Sequence, residues 1–201
     1  MPIDASRIGF RPVTAADLPL LATWLEAPHI RAWWGDPEEE LGFIRAMVEG
    51  RDTTRPYLIL LDGEAAGYIK VWYIGHHQNE SWTKDNPWLL DLPAETVGVD
   101  LSIGDASNLS IGLGSLALQR FVAMLRAEGH ETIIIDPDPA NTRAVRAYEK
   151  AGFREYARRR ESHLMGGRLW DTIYMECLST EFESPLLGQI FTPDVPQGSP
   201  S

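Results

Sequence analysis

Residues 97–115 place the tightest constraint on the fold. Val97-Gly98-Val99-Asp100-Leu101-Ser102-Ile103 reads as a strand, and Gly112-Leu113-Gly114-Ser115 then opens a helix. In that helix Leu118, Phe121, Val122 and Leu125 fall at i, i+3, i+4 and i+7. A strand that turns through glycines into an amphipathic helix belongs to an α/β sheet. Glycines at a helix mouth leave backbone N–H groups uncovered, and the helix dipole adds positive potential there. Two readings stay open on this segment alone, a diphosphate cradle and a structural turn. It is not a P-loop, because no Lys-Ser/Thr follows the second glycine, and it lacks the third glycine of a dinucleotide fingerprint.

The rest of the chain supplies elements of the same class. Ile8–Val13 predicts a first strand, and Thr14 with Asp17 predicts a capped helix through Leu18, Leu21 and Trp24. A loop carrying His29, Trp33 and Trp34 is expected next, then a helix from Asp36-Pro37 to about Gly50. Arg55–Leu61 and Ala65–Ile74 flank Asp62-Gly63-Glu64 as a hairpin. Gly75–Glu95 is polar, holds Trp82, Trp88, Pro87 and Pro93, and reads as a long functional or mobile loop. Thr132–Ile135 reads as a short buried strand, Asn141–Ala151 as a helix, and Phe153–Leu164 with Leu169–Leu178 as a closing hairpin. The expected order is β-α-α-β-β-β-α-β-α-β-β, a single-domain mixed sheet flanked by helices. Residues 184–201, rich in Pro, Gly and Ser, are expected to be an irregular tail.

Charge and composition remove several function classes. The 29 acidic against 18 basic residues give a formal net charge of −11. Such a surface repels phosphate backbones and anionic lipid, so neither nucleic acid nor membrane is an expected partner. It favours small cations, although acidity also serves solubility. No apolar run approaches the roughly 20 residues of a membrane span, and the first residues lack a signal-like apolar core. The lone Cys177 excludes an internal disulfide and a cysteine-rich zinc cluster, and the cytoplasm is the expected compartment.

A second segment narrows the chemistry. In Asp136-Pro137-Asp138-Pro139-Ala140-Asn141, the asparagine is placed to cap the helix that follows, and Tyr148 lies two turns inside on its apolar face. Taken alone, Tyr148 reads as a core tyrosine whose hydroxyl needs a partner. Taken with residues 97–115, the chain over roughly residues 7–178 resembles the GCN5-related N-acetyltransferases. It departs from their commonest glycine motif in having Leu109 where Arg or Gln is usual.

Further segments resemble the bacterial aminoglycoside 6'-N-acetyltransferases. These are His29-Ile30 with Trp33-Trp34-Gly35, Pro56-Tyr57, Gly63-Glu64 with Gly67-Tyr68, Gly98-Val99-Asp100, Asn108 to Ser115, and Asp136-Pro137 through Phe153. The resemblance implies acetyl-CoA as cosubstrate, a small cationic amine as acceptor and no metal. It implies cofactor contacts at Leu101, Ser102 and Ile103, at Ile111, Gly112, Leu113, Gly114 and Ser115, and at Asn141, Ala144 and Tyr148. The acceptor would meet Asp100, Asp136, Trp34, Trp82 and Trp88, with Asp100 and Tyr148 catalytic.

The residue chemistry is consistent with those roles. An alkyl ammonium attacks a thioester only after losing a proton, so a carboxylate must take it directly or through water. Asp100 interrupts an apolar strand, as a base or as a buried structural partner. The acidic run Asp36, Glu38, Glu39 and Glu40 is either a solvated helix start or the rim of a cation site. His76-His77 reads as a solvated pair, since no spaced carboxylate or cysteine accompanies it. Two other functions remain open on sequence: acetylation of a siderophore hydroxylysine-type amine, and non-catalytic binding of an acyl-CoA. The oligomeric state is not encoded in any of these features.

Overall fold

Strand alternation and three amphipathic helices account for most of the architecture. The structure, a computed structural model, describes residues 3–177 except 85, 166 and 167, with the side chains of 159–170 also set aside. The strands are β1 (Ile8–Pro12), β2 (Arg55–Leu61), β3 (Glu64–Tyr73), β4 (Val97–Ile103), β5 (Ile133–Ile135), β6 (Arg154–Met165) and β7 (Arg168–Cys177). The helices are α1 (Leu18–Leu25), α2 (Pro28–Trp34), α3 (Pro37–Val48), α4 (Ile74–His77), α5 (Glu80–Thr83), α6 (Leu113–Ala127) and α7 (Thr142–Lys150). The sheet order is β1-β2-β3-β4-β5-β7-β6, antiparallel throughout except for the parallel β4–β5 pair.

The pleat sorts the central strands onto two faces. Ile69 and Val71 of β3 and Val97 and Val99 of β4 pack with Leu118, Phe121, Val122 and Leu125 of α6. Leu58 and Tyr68 point the other way, onto Leu21, Leu25, Ile30 and Ile44 of α1–α3. Each of these buried aliphatic or aromatic side chains contributes about 1.5–3 kcal/mol of transfer free energy, so the two layers fix the sheet between them.

The parallel pair creates the functional geometry. β5 meets β4 only at Val97↔Ile133 and Gly98↔Ile134, whereas β4 continues to Ile103. Beyond Gly98 one edge of β4 has no strand beside it among the described residues, and the fork between β4 and β5 opens a cleft. Loops bring residues to that fork from both sides. The hairpin turn at Asp62-Gly63 holds both residues at positive φ (54° and 86°), the combination a two-residue type I′ turn requires.

Two expectations are corrected. The stretch with His29, Trp33 and Trp34 is helical (α2) rather than a loop. Pro28 at the first helical position presets φ, and Ile30 anchors the segment by burying into the α1–α3 cluster. The 75–95 stretch is likewise not structureless: it carries α4, α5 and a 3-10 segment at Pro87–Asp91. Ile74, Trp88 and Leu89 form a third small core, and the Gln78 amide donates to the carbonyls of Leu89 and Leu92 at 2.8 Å each. Residues 184–201 lie outside the described residues.

Candidate active site

One cleft of about 1130 Å³ runs along the open edge of β4. Its two ends differ in charge. At one end, the first turn of α6 starts from Gly112 with no side-chain cap and no acidic residue. Gly112 sits at φ 92°, a conformation that strains L side chains, and this is what the helix mouth demands of it. The first N–H to be bonded inside the helix is that of Leu116, on Gly112 O, so the donors of the preceding turn point out of the helix end. Arg143, Arg146 and Lys150, exposed on α7, line the same cleft. This end suits an anion.

Not every cradle residue serves through its side chain. Leu113 is wholly buried in the core and Ile111 is half exposed outside the cleft, so only their backbone could serve a ligand. Gly112, Gly114 and Ser115 line the cleft directly, as do Leu101, Ser102 and Ile103 of β4. A Cβ on Gly114 would touch only the side chains of Ile103 and Leu101 at ordinary contact distance. The protein itself therefore does not need glycine there; only a close-lying ligand would.

Tyr148 lines the same cleft as the Asp100 and Asp136 carboxylates and lies within reach of their charge. Asn141 caps α7, its Oδ1 accepting the Ala144 N–H at 3.2 Å, and Phe153 and Ala151 seat the end of the helix in the core. Tyr148 is thereby held with only 8% of its surface exposed. Burial, reinforced by the nearby Asp100 and Asp136 carboxylates, pushes its phenol well above the ordinary value. It holds its proton at neutral pH and is a donor.

The other end is acidic. Asp36, Glu39, Glu40, Asp52, Asp100 and Asp136 line it together with Trp33, Trp34, Phe43 and Trp82. Asp36 is also the cap of α3, accepting the N–H groups of Glu38 and Glu39 at 3.0 and 3.1 Å. Burial raises the Glu40 carboxyl to about 7, Lys70 opposing this and Asp100 and Glu39 adding to it. Burial likewise raises Asp136 well above the carboxylate range, with Asp100 adding and Lys70 opposing. Carboxyl groups strained toward neutrality are ones that an incoming cation would stabilise.

Sequence reasoning missed Lys70. Asp100 does not stand unpaired in its strand: the register places Lys70 of β3 directly opposite it, Nζ 3.4 Å from Oδ2. Burial alone would lower the Lys70 pKa, but Asp100 and Glu40 more than offset this and hold it protonated. Its ammonium also lies 5.3 Å from the centre of the Trp34 ring, within cation–π range. The available signal was the pleat, since a charge at Lys70 shares its face with Tyr68 and Trp72, and Asp100 shares that face with Gly98 and Ser102.

The tryptophans divide by burial. Trp82 is 48% exposed, edge-on to His77 at 4.8 Å. Trp88 is 9% exposed, packed on Tyr174 and Trp72, and only part of it reaches the cleft. Trp72 lies across Gly98, where any Cβ would sit inside its indole ring. His29 ties α2 to the end of β4 through Nε2 and the Ile103 carbonyl oxygen, 2.9 Å apart. His77 is structural in the same sense, its Nδ1 2.8 Å from the Tyr73 carbonyl oxygen.

Comparison with known proteins bears on this arrangement. Residues 13–160 match the family described as Acetyltransferase (GNAT) domain. The aminoglycoside N(6')-acetyltransferase type 1 of Klebsiella pneumoniae is 33% identical over 153 residues, covering 73% of each chain. A lysine N-acyltransferase of Mycobacterium tuberculosis, MbtK, is 28% identical over 149 residues, 72% of this chain and 67% of that protein. Among solved structures, AAC(6')-Ib in complex with ribostamycin and coenzyme A superimposes with a TM-score of 0.71 at 26% identity, covering 88% of this chain and 99% of that one.

Proposed function

The chain belongs to the GNAT acetyltransferase family, and on that premise we propose that it acetylates the 6'-amino group of an aminoglycoside, by direct transfer from acetyl-CoA with both substrates bound. One observation carries the reading. A single cleft is lined by uncovered helix N–H groups and basic side chains and by a group of carboxylates that includes Asp100, and Tyr148 lies near enough to Asp100 and Asp136 to feel their charge. A diphosphate suits the first set of groups and a polyamine the second. The likeness to an aminoglycoside N(6')-acetyltransferase and to a ribostamycin–coenzyme A complex supports the same choice.

The residues would divide the work as follows. The N–H groups of the Gly112–Ser115 turn would take the pyrophosphate, with Ile111 and Leu113 contributing backbone alone. The open edge of β4 at Leu101, Ser102 and Ile103 would hydrogen-bond the extended arm, as an added strand would. Asn141 and Ala144 would flank that arm from α7. When bound, acetyl-CoA supplies the activated acyl group. Asp100 takes the proton from the acceptor ammonium, directly or through water, freeing the nitrogen lone pair for the carbonyl carbon. Backbone N–H groups of β4 near residues 100–103 stabilise the oxyanion. As the C–S bond breaks, the Tyr148 hydroxyl would give its proton to the departing thiolate and regain one, through water, as the nitrogen loses its second proton in forming the amide; the proton on Asp100 leaves to solvent. Asp136 holds a second acceptor ammonium, while Trp34, Trp82 and the reachable part of Trp88 pack against sugar faces. No metal enters the scheme, nucleic acid and membrane are not partners, and the cytoplasm is the site of action. Residues 7–178 form the catalytic domain.

Asp100→Asn tests the assignment. It keeps shape and removes the base, so kcat should fall about 10²–10⁴-fold while acetyl-CoA affinity persists. Tyr148→Phe should cost less, because water replaces a phenol as proton donor. Near-normal turnover by Asp100→Asn at neutral pH would remove it as the base. The likeness to the lysine N-acyltransferase favours a second reading, a lysine-type side-chain amine as acceptor, with the hydroxylysine-type amine one member of that class; turnover of such an amine and of no 6'-amino sugar would establish it.

A further inference from the structure

One cation is already present in the acceptor half of the cleft, and it belongs to the protein. Lys70 leaves β3 opposite Asp100, with its Nζ 3.4 Å from Oδ2 and 5.3 Å from the centre of the Trp34 ring. Its side chain is 18% exposed and lines the cleft. Glu40 from α3 and Asp136 beyond β5 act on the same ammonium. Carboxylates joined to an aromatic face make a binding place for an alkyl ammonium, and an aminoglycoside carries several such groups.

We propose that Lys70 is a specificity-determining residue of the acceptor site, a built-in ammonium that fills one of the pocket's cation positions and limits how many acceptor charges the carboxylates hold. The inference rests on the acceptor reading above. Two like charges cannot share Asp100 and the Trp34 face without repulsion, and the enclosure of the site keeps that repulsion from being fully screened. The occupied position therefore selects against acceptors that would place a second ammonium beside the reacting one. It leaves Asp100 free toward one amine at a time.

The test uses Lys70→Met, which keeps an apolar stem of similar length against Trp34, and Lys70→Arg, which keeps the charge. Measurements are made at pH 8, above the value of about 7 to which burial raises Glu40 in the parent, and are repeated at pH 9 because loss of Lys70 raises that carboxyl further. Removing the charge should lower the KM for kanamycin on the order of tenfold, with a gain clearly larger than that for a monoamine such as methyl 6-amino-6-deoxyglucoside. It should also steepen the salt dependence for kanamycin, and Lys70→Arg should behave as the parent. Equal changes for both acceptors, a kanamycin KM that is unchanged or raised, or an arginine variant that mimics methionine would each overturn the inference. Lys70→Gln carries the same expectations if the methionine variant does not fold. If the parent acetylates neither acceptor, the functional reading fails by itself. Calorimetric kanamycin affinities of parent and variants then decide on Lys70, and the absence of binding throughout would also overturn it.

Discussion

A lysine facing an aspartate across two strands shows what a single residue can and cannot announce. That Asp100 lies on the face of Gly98 and Ser102, away from Val97 and Val99, follows from the pleat and was legible. That Lys70 meets it was not, because the β3–β4 register is set across residues 74–96 by packing rather than by any local turn. Glu40 is similar: its position in an acidic run gives no sign that it turns into the cleft. Its carboxyl is raised from 4.5 to about 7, so the folded state binds more protons than the unfolded one between those values. Stability is therefore lost as pH rises through that window. Glu40→Gln should be neutral below pH 4.5 and stabilising by about 1–3 kcal/mol at pH 8 in denaturant titrations. An equal effect at both pH values would contradict the burial account. Gly114 makes a complementary case, since a Cβ there would meet the protein only at ordinary contact distance. Gly114→Val should leave the melting temperature within a few degrees yet weaken coenzyme A binding at least tenfold by calorimetry, roughly the loss of one or two good hydrogen bonds. Unchanged affinity would misplace the cradle.

At the scale of elements, the long periodic helices and the apolar strands were readable and the short helices were not. α6 carried its own periodicity and opens at Gly112 as expected, and α7 carried its Asn141 cap and lies within one residue of its expected bounds. β2 matches residue for residue. α2, α4 and α5 were not foreseen, because four to seven residues hold too little pattern to outweigh their Pro, Gly and polar content. α2 and α4 form because the sheet and its neighbouring helices offer them something to pack on: Ile30 and Ile74 are both enclosed. The closing of the 75–95 segment onto β3 and β4 depends on Trp72 lying across Gly98, with Trp88 and His77 packed on the indole. Gly98→Ala should force the ring aside and destabilise the fold by about 1–3 kcal/mol, measured by thermal melting. A stability equal to the parent's would mean the Trp72 stack moves freely.

For the molecule as a whole, a net charge of −11 indicated a cationic partner only in outline, and the fork between β4 and β5 gives that charge a location. The sequence motifs marked the anionic cosubstrate's end, where backbone geometry does the binding. They left the acceptor end vague, because its carboxylates come from four separate elements brought together by topology. Attraction at that end is electrostatic, so the KM for a polyamine acceptor should rise with added salt while that for acetyl-CoA moves differently. A salt-independent acceptor KM would remove the acidic pocket from the account. The central claim is narrower: one amine reaches Asp100 and the thioester carbon together. Neomycin and paromomycin differ in carrying an amine or a hydroxyl at the 6' position. Steady-state acetylation of the pair, followed by release of free coenzyme A thiol, should show turnover of neomycin and little or none of paromomycin. Equal turnover of the two would mean that another amine is the target and that the acceptor geometry is wrong.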